Sequence, residues 1–174
     1  MVNCNGSFYE KIDIIKGCSS NAKIKAAAVD ILSEIGFDKW LFCSESNQAL
    51  FGNVTFASGQ TWKWLLVYMG KCYQHIDPVI KHCAVSEEPL LWDSIQEMKS
   101  NESRIRLFWK DVHANGFGSG LSVPLRSPTG LCGLISVVSD RPLSDTREVF
   151  EQQQANIRFI GEAMHFAVDR LMHC

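Results

Sequence analysis

Ser119-Gly120-Leu121-Ser122-Val123-Pro124-Leu125 and Leu131-Cys132-Gly133-Leu134-Ile135-Ser136-Val137-Val138 read as two strands, with Ser127-Pro128-Thr129-Gly130 as the turn between them. Proline presets one φ of the turn and glycine follows it, which makes the pair a hairpin. A hairpin near the end of the chain points to an antiparallel sheet. On its N-terminal side, Ile105, Phe108, Trp109 and Val112 form a helical stripe stopped by Asn115-Gly116. On its C-terminal side, a last helix is predicted from near Asp145, with Glu148 as its capping partner. Phe150, Ile157, Ile160, Met164, Val168 and Leu171 mark that helix's apolar face.

Further out, Phe8, Ile12 and Ile15 predict a helix over 7–16 that ends at Gly17. A second helix follows a Ser20 or Asn21 cap and carries Ile24, Ala28, Ile31 and Ile35, with Gly36 as its stop. Trp40-Leu41-Phe42-Cys43 suits a buried strand, and Leu50 to Phe56 reads as its neighbour despite Gly52 and Asn53. A helix over about 60–72 and a short one after Pro78 complete the set; the residue before proline avoids the helical region. Helices and strands thus alternate in blocks. The expectation is an α+β fold, an α/β/α sandwich with a central antiparallel sheet of about five strands flanked by helices.

The chain has 174 residues, enough for one domain that closes a core around a buried ligand. Hydrophobic residues are 46% of it, as in ordinary globular proteins. No apolar run approaches the roughly 18 residues of a membrane span. Met1-Val2-Asn3-Cys4-Asn5-Gly6 lacks the basic and apolar segments of a signal peptide, so a cytoplasmic location without membrane partners is expected. Seven scattered cysteines without a C-x2-C pair argue for reduced thiols, most of them buried, rather than a disulfide framework. Net charge is −2 and the 17 basic residues form no stripe, so the electrostatic footprint of nucleic-acid binding is missing.

Chemistry concentrates between Trp64 and Trp92. Trp64 and Tyr68 share a helix face four residues apart, and Asp77 is embedded between Ile76 and Pro78-Val79-Ile80. An aromatic pair at that spacing is more often core packing than a ligand site. Asp77 changes the balance, because a buried carboxylate without partners costs several kcal/mol. Its partner is a backbone amide, an arginine or a ligand. An indole N–H donates only, a phenol donates and accepts, and a carboxylate accepts only, a set that suits a small molecule with a carbonyl, an amide and an apolar tail.

These residues resemble the ligand-binding domain of LuxR-type quorum-sensing transcription factors. Trp64, Tyr68, Asp77 and Trp92 fall at that family's spacing, and the strands around Ser122 and Ser136 look like its last two, so the resemblance covers nearly the whole chain. It implies an N-acyl homoserine lactone as the small-molecule autoinducer. Asp77 would accept the ligand's amide N–H, Trp64 would donate to the lactone carbonyl, and the Tyr68 hydroxyl would approach the amide carbonyl. Ser136 could reach the amide carbonyl or could simply satisfy a neighbouring backbone group; Ser122 is a weaker candidate of the same kind. Trp92, Trp109, Leu41, Val79 and Phe117 are apolar lining candidates.

The chain departs from the family at Ser58-Gly59-Gln60-Thr61, where Gln60 stands in place of a ligand-contacting tyrosine and Trp62 is an extra aromatic nearby. The resemblance further implies a homodimer that meets DNA only through a C-terminal helix-turn-helix domain, absent from residues 1–174. Cys72, His75, His82 and Cys83 match no structural-zinc spacing, and Gly116-Phe117-Gly118-Ser119-Gly120 lies before a strand rather than before a phosphate-binding helix. No metal, cofactor or catalytic nucleophile is expected. A sensor of the broader GAF/PAS kind or a lactone hydrolase remain the rivals. An empty pocket the size of an acyl chain would be a large void, so folding is expected to depend on lactone unless Trp62 or Phe117 swings inward.

Overall fold

The computed structural model describes residues 7–44, 54–57, 61–97, 102–126 and 132–172. Helix α1 spans Phe8–Gly17 and begins with a reciprocal capping box: the Glu10 amide donates to Ser7 Oγ, and the Ser7 amide to the Glu10 carboxylate. Helix α2, Asn21–Glu34, is capped by Ser20 and followed by Gly36 at φ 95°. Strands β1 (Lys39–Ser44) and β2 (Val54–Ala57) come next, then α3 (Trp62–Gly70). A 3-10 turn, Tyr73–His75, leads to α4 (Pro78–Val85), β3 (Leu90–Leu91), α5 (Trp92–Glu97) and α6 (Ser103–Ala114). The hairpin β4 (Ser119–Arg126) and β5 (Cys132–Ser139) precedes α7, which runs Leu143–Met172.

The sheet has the order β2-β1-β5-β4-β3, and every pairing is antiparallel. Four of its members have four to eight residues, while β3 is a two-residue edge segment. The expectation of about five strands therefore reduces to four of full length. The fold is a mixed α+β one in which helices flank an antiparallel sheet.

Side chains alternate across a strand, so each strand feeds two cores. Phe42, Leu121, Val123, Leu125, Ile135 and Val137 face α1, α2 and α7. Leu41, Cys43, Leu134 and Val138 join the second core, with residues of α3, α4 and α6. Gly161 sets how closely α7 approaches the sheet: a Cβ there would come within 2.7 Å of Ile135 Cγ2.

Several boundaries differ from the expected ones. Helix α3 stops at Gly70 rather than 72, because Cys72 takes a left-handed φ of 54° and turns the chain. Helix α7 starts at Leu143, two residues ahead of Asp145, which places that carboxylate in the first turn rather than at the cap. The expected hairpin turn at 127–130, residues 50–53 of the second strand, and Ser58-Gly59-Gln60 lie outside the described residues. Among the described residues no helix is long and apolar enough to cross a membrane.

Candidate functional site

Between the sheet and the α3–α6 layer lies a cavity of about 60 Å³. Its floor is the sheet face carrying Leu41, Cys43, Leu134 and Ser136; α3 contributes Trp64, Leu65 and Tyr68. Asp77, Val79 and Ile80 come from the start of α4, and Trp92, Phe108, Trp109 and Val112 close the rest. Eight of the ten residues singled out in the sequence thus meet around one space: Leu41, Trp64, Tyr68, Asp77, Val79, Trp92, Trp109 and Ser136. Phe117 and Ser122 stand one layer back. Phe117 packs edge-on against Trp64 with centroids 5.9 Å apart, and Ser122 lies beside Ser136 in the adjacent strand.

Asp77 is the N-cap of α4, with Pro78 in the first helical position, where its missing N–H leaves nothing unsatisfied. The Val79 amide donates to Oδ1 at 2.8 Å, and the Tyr68 hydroxyl donates to Oδ2 at 2.8 Å. Burial pushes the Asp77 pKa up to about 6 from 3.8, against the opposing pull of the Tyr68, Val79 and Ile80 hydrogen bonds. The Tyr68 proton is committed to Asp77. In this geometry its hydroxyl offers only lone pairs to a third group, so the role of donor to a ligand carbonyl is closed to it. Burial, with the Asp77 charge second, also raises the Cys43 and Cys83 thiols to about 12, so neither is a ready nucleophile.

The walls are a continuous aromatic cluster. Trp64 meets Tyr68, Tyr73 and Phe108 at centroid distances of 5.7, 6.0 and 5.9 Å. The buried indole N–H without a hydrogen-bond partner among the described residues is that of Trp109, which lines the same cavity. Tyr73 is anchored from outside by donating to Asp111 at 2.5 Å, and the bonds from Lys71 and Tyr73 lower the Asp111 pKa. Trp92 and Trp109 tilt together at 6.0 Å. The Trp92 indole instead donates to Ser122 Oγ at 2.8 Å, and Ser122 Oγ lies 2.7 Å from Ser136 Oγ.

Residues 20–168 match the model of the autoinducer binding domain family. The chain belongs to that family. This autoinducer-binding domain is 24% identical over 143 residues to the transcriptional activator AnoR of Acinetobacter nosocomialis, covering 81% of this chain and 58% of the relative. It is 23% identical over 124 residues to the transcriptional activator TraR of Rhizobium radiobacter, covering 70% and 50%. The chain therefore spans about half the length of these relatives, which are named as transcriptional activators. In fold it is similar to the N-acylhomoserine lactone dependent factor CepR2 of Burkholderia cenocepacia, with TM-score 0.72, 19% identity and 95% of both chains covered. It is also similar to SdiA of Escherichia coli, with TM-score 0.67, 16% identity, and 95% and 67% covered. A further SdiA structure, TM-score 0.63 at 17% identity over 95% and 66%, is a complex with octanoyl-rac-glycerol.

The autoinducer-binding domain also uses lining residues that the sequence reading passed over. Cys43 follows Leu41, and Leu134 precedes Ser136, by two positions on a strand, so strand alternation would have placed both on the cavity face. Phe108 and Val112 belonged to a recognised helical stripe whose direction was not fixed. Leu65 and Ile80 carried no signal beyond being apolar neighbours of Trp64 and Val79. The cavity is smaller than the expected large void: Phe117 is buried behind Trp64, while Trp62 stays 60% exposed.

Proposed function

We propose that this domain binds an N-acyl homoserine lactone in the cavity between the sheet and α3–α6, without turning it over. The observation that supports this best is the company kept by Asp77. The buried Asp77 carboxylate, the unpartnered Trp109 indole N–H and the Ser136 hydroxyl belong to residues that line one apolar cavity, together with the Trp64 indole. A secondary amide beside a lactone carbonyl, carrying an acyl chain, matches that arrangement of acceptor, donors and apolar wall. The lactone dependence named for CepR2 supports the same reading.

SdiA holding octanoyl-rac-glycerol makes an acylglycerol the second reading. A glycerol hydroxyl can donate to Asp77 in place of the amide. Native mass spectrometry separates the two: protein purified from cells fed individual lactones is expected to carry one intact lactone per chain. Recovery of acylglycerol alone would favour the second reading, and ring-opened or deacylated lactone above the buffer control would point to hydrolysis.

In the full regulator we place this segment, residues 1–174, as a single sensor domain in the cytoplasm, joined to a DNA-binding domain and paired as a homodimer. The outer face of α1 and α7 supports the pairing, with Tyr9, Phe159 and Phe166 exposed and the Tyr9 and Phe159 rings 6.4 Å apart. Sedimentation of the lactone-bound domain and of its Phe166→Glu variant tests it; equal monomer fractions in both would count against this face.

A further inference from the structure

We propose that Ser122, which does not reach the cavity, fixes Ser136 as a hydrogen-bond donor toward the bound molecule through a relay that starts at the Trp92 indole. The inference rests on the lactone reading of the site and adds a positioning residue to it.

The direction of each bond follows from what the groups can do. An indole N–H only donates, so in the 2.8 Å contact Ser122 Oγ is the acceptor. Ser122 is fully buried, and the other polar side-chain atom bonded to it among the described residues is Ser136 Oγ at 2.7 Å. A buried hydroxyl proton without an acceptor is costly, so Ser122 donates to Ser136 rather than the reverse. Ser136 Oγ then accepts from Ser122, and its own proton is left for the cavity that Ser136 lines.

The backbone holds the relay in place. Ser122 and Ser136 are directly paired across β4 and β5, with Leu41 opposite Ser136 in β1. Two residues before Ser122, on the same strand face, Gly120 lets the Trp92 ring lie flat on the sheet; a Cβ there would come within 2.6 Å of the indole. The indole is thereby held where its Nε1 reaches Ser122. A bound molecule that presents a carbonyl oxygen to Ser136 satisfies that proton; one that presents only a donor uses the remaining lone pair and leaves the proton unsatisfied.

The test is a mutant cycle read by calorimetric titration of the 174-residue chain with a series from N-butanoyl to N-tetradecanoyl homoserine lactone. For the tightest member, Ser122→Ala is expected to raise Kd about 3- to 10-fold, the value of one oriented neutral hydrogen bond. Ser122→Thr keeps the hydroxyl and is expected to stay within about twofold of wild type. On a Ser136→Ala background, Ser122→Ala is expected to add no further loss, because the relay has no end to orient. If Ser122→Ala does not fold, Trp92→Phe removes the N–H that starts the relay and is expected to show the same dependence on Ser136. An equal loss in both backgrounds, or no loss in either, overturns the relay while leaving lactone binding standing. If no member of the series binds the wild type, the lactone reading falls and the relay with it.

Discussion

With the Val79 and Ile80 amides and the Tyr68 hydroxyl bonded to it, the Asp77 carboxylate still keeps a lone pair that can take a further donor from the cavity. Asparagine at this position can hold Val79 with its oxygen, but it turns an N–H toward the ligand's own N–H. Asp77→Asn is therefore expected to weaken lactone binding about 10- to 100-fold, the range of a charge-assisted bond. Ser136→Ala should cost about 2- to 10-fold. Titration of both variants checks the order; a larger loss for Ser136→Ala would refute it. Protonation gives an independent readout. The folded pKa is raised to about 6, so the carboxyl's contribution to stability is fully present below about pH 4 and is lost as pH rises through 6. Binding has the opposite sign, because the ligand N–H needs the ionised form. Affinity is expected to rise from pH 5 to pH 7 in wild type, around the pKa of about 6, and to stay flat in Asp77→Asn. A parallel slope in both proteins would assign the titration to another group.

At the scale of elements, α4 depends on the same carboxylate as its cap. Asparagine caps as well as aspartate, whereas alanine leaves an orphan amide worth about 1 kcal/mol. Asp77→Asn is thus the variant that separates binding from folding. Helix α7 offers a cleaner structural test. Gly161→Val would drive a branched side chain into Ile135 and Leu125 on the sheet. Overpacking of this kind costs about 1–3 kcal/mol, so a lower midpoint in thermal denaturation is expected. An unchanged midpoint would show that α7 can ride outward freely. Helix ends were legible where side chains cap them, as at Ser20. They were not legible at Gly70 or Leu143, where backbone conformation and the approach to the sheet decide.

For the whole molecule, a cavity of only about 60 Å³ limits the penalty of being empty. At about 24 cal/mol per Å³ that penalty is near 1.4 kcal/mol, small beside a domain stability of about 5–15 kcal/mol. The ligand-free domain is accordingly expected to be soluble and to melt cooperatively, with lactone raising the midpoint. Saturation at a thousandfold excess over Kd adds about 4 kcal/mol. Calorimetry of protein made with and without lactone checks this, and a ligand-free sample with no cooperative transition would contradict it. Entry of an acyl chain then requires the aromatic walls to move apart.

Spacing alone placed Trp64 and Tyr68 on one helix face and Asp77 ahead of a proline-started helix. Alternation alone put Ser122 and Ser136 in paired strands. Those are local properties, set by backbone periods of 3.6 and 2 that any reader of the chain can apply. What the local pattern could not contain is the choice among partners far apart in sequence. Tyr68 donates to Asp77 instead of to the cavity, and the Trp92 N–H goes to Ser122, 30 positions away, while its ring still lines the cavity. The same holds for Phe117, which closes behind Trp64 and leaves little empty space. Donors, acceptors and volumes are known from residue type, but which of them meet depends on how the α3–α6 layer settles on the sheet, and that is decided only when both cores close.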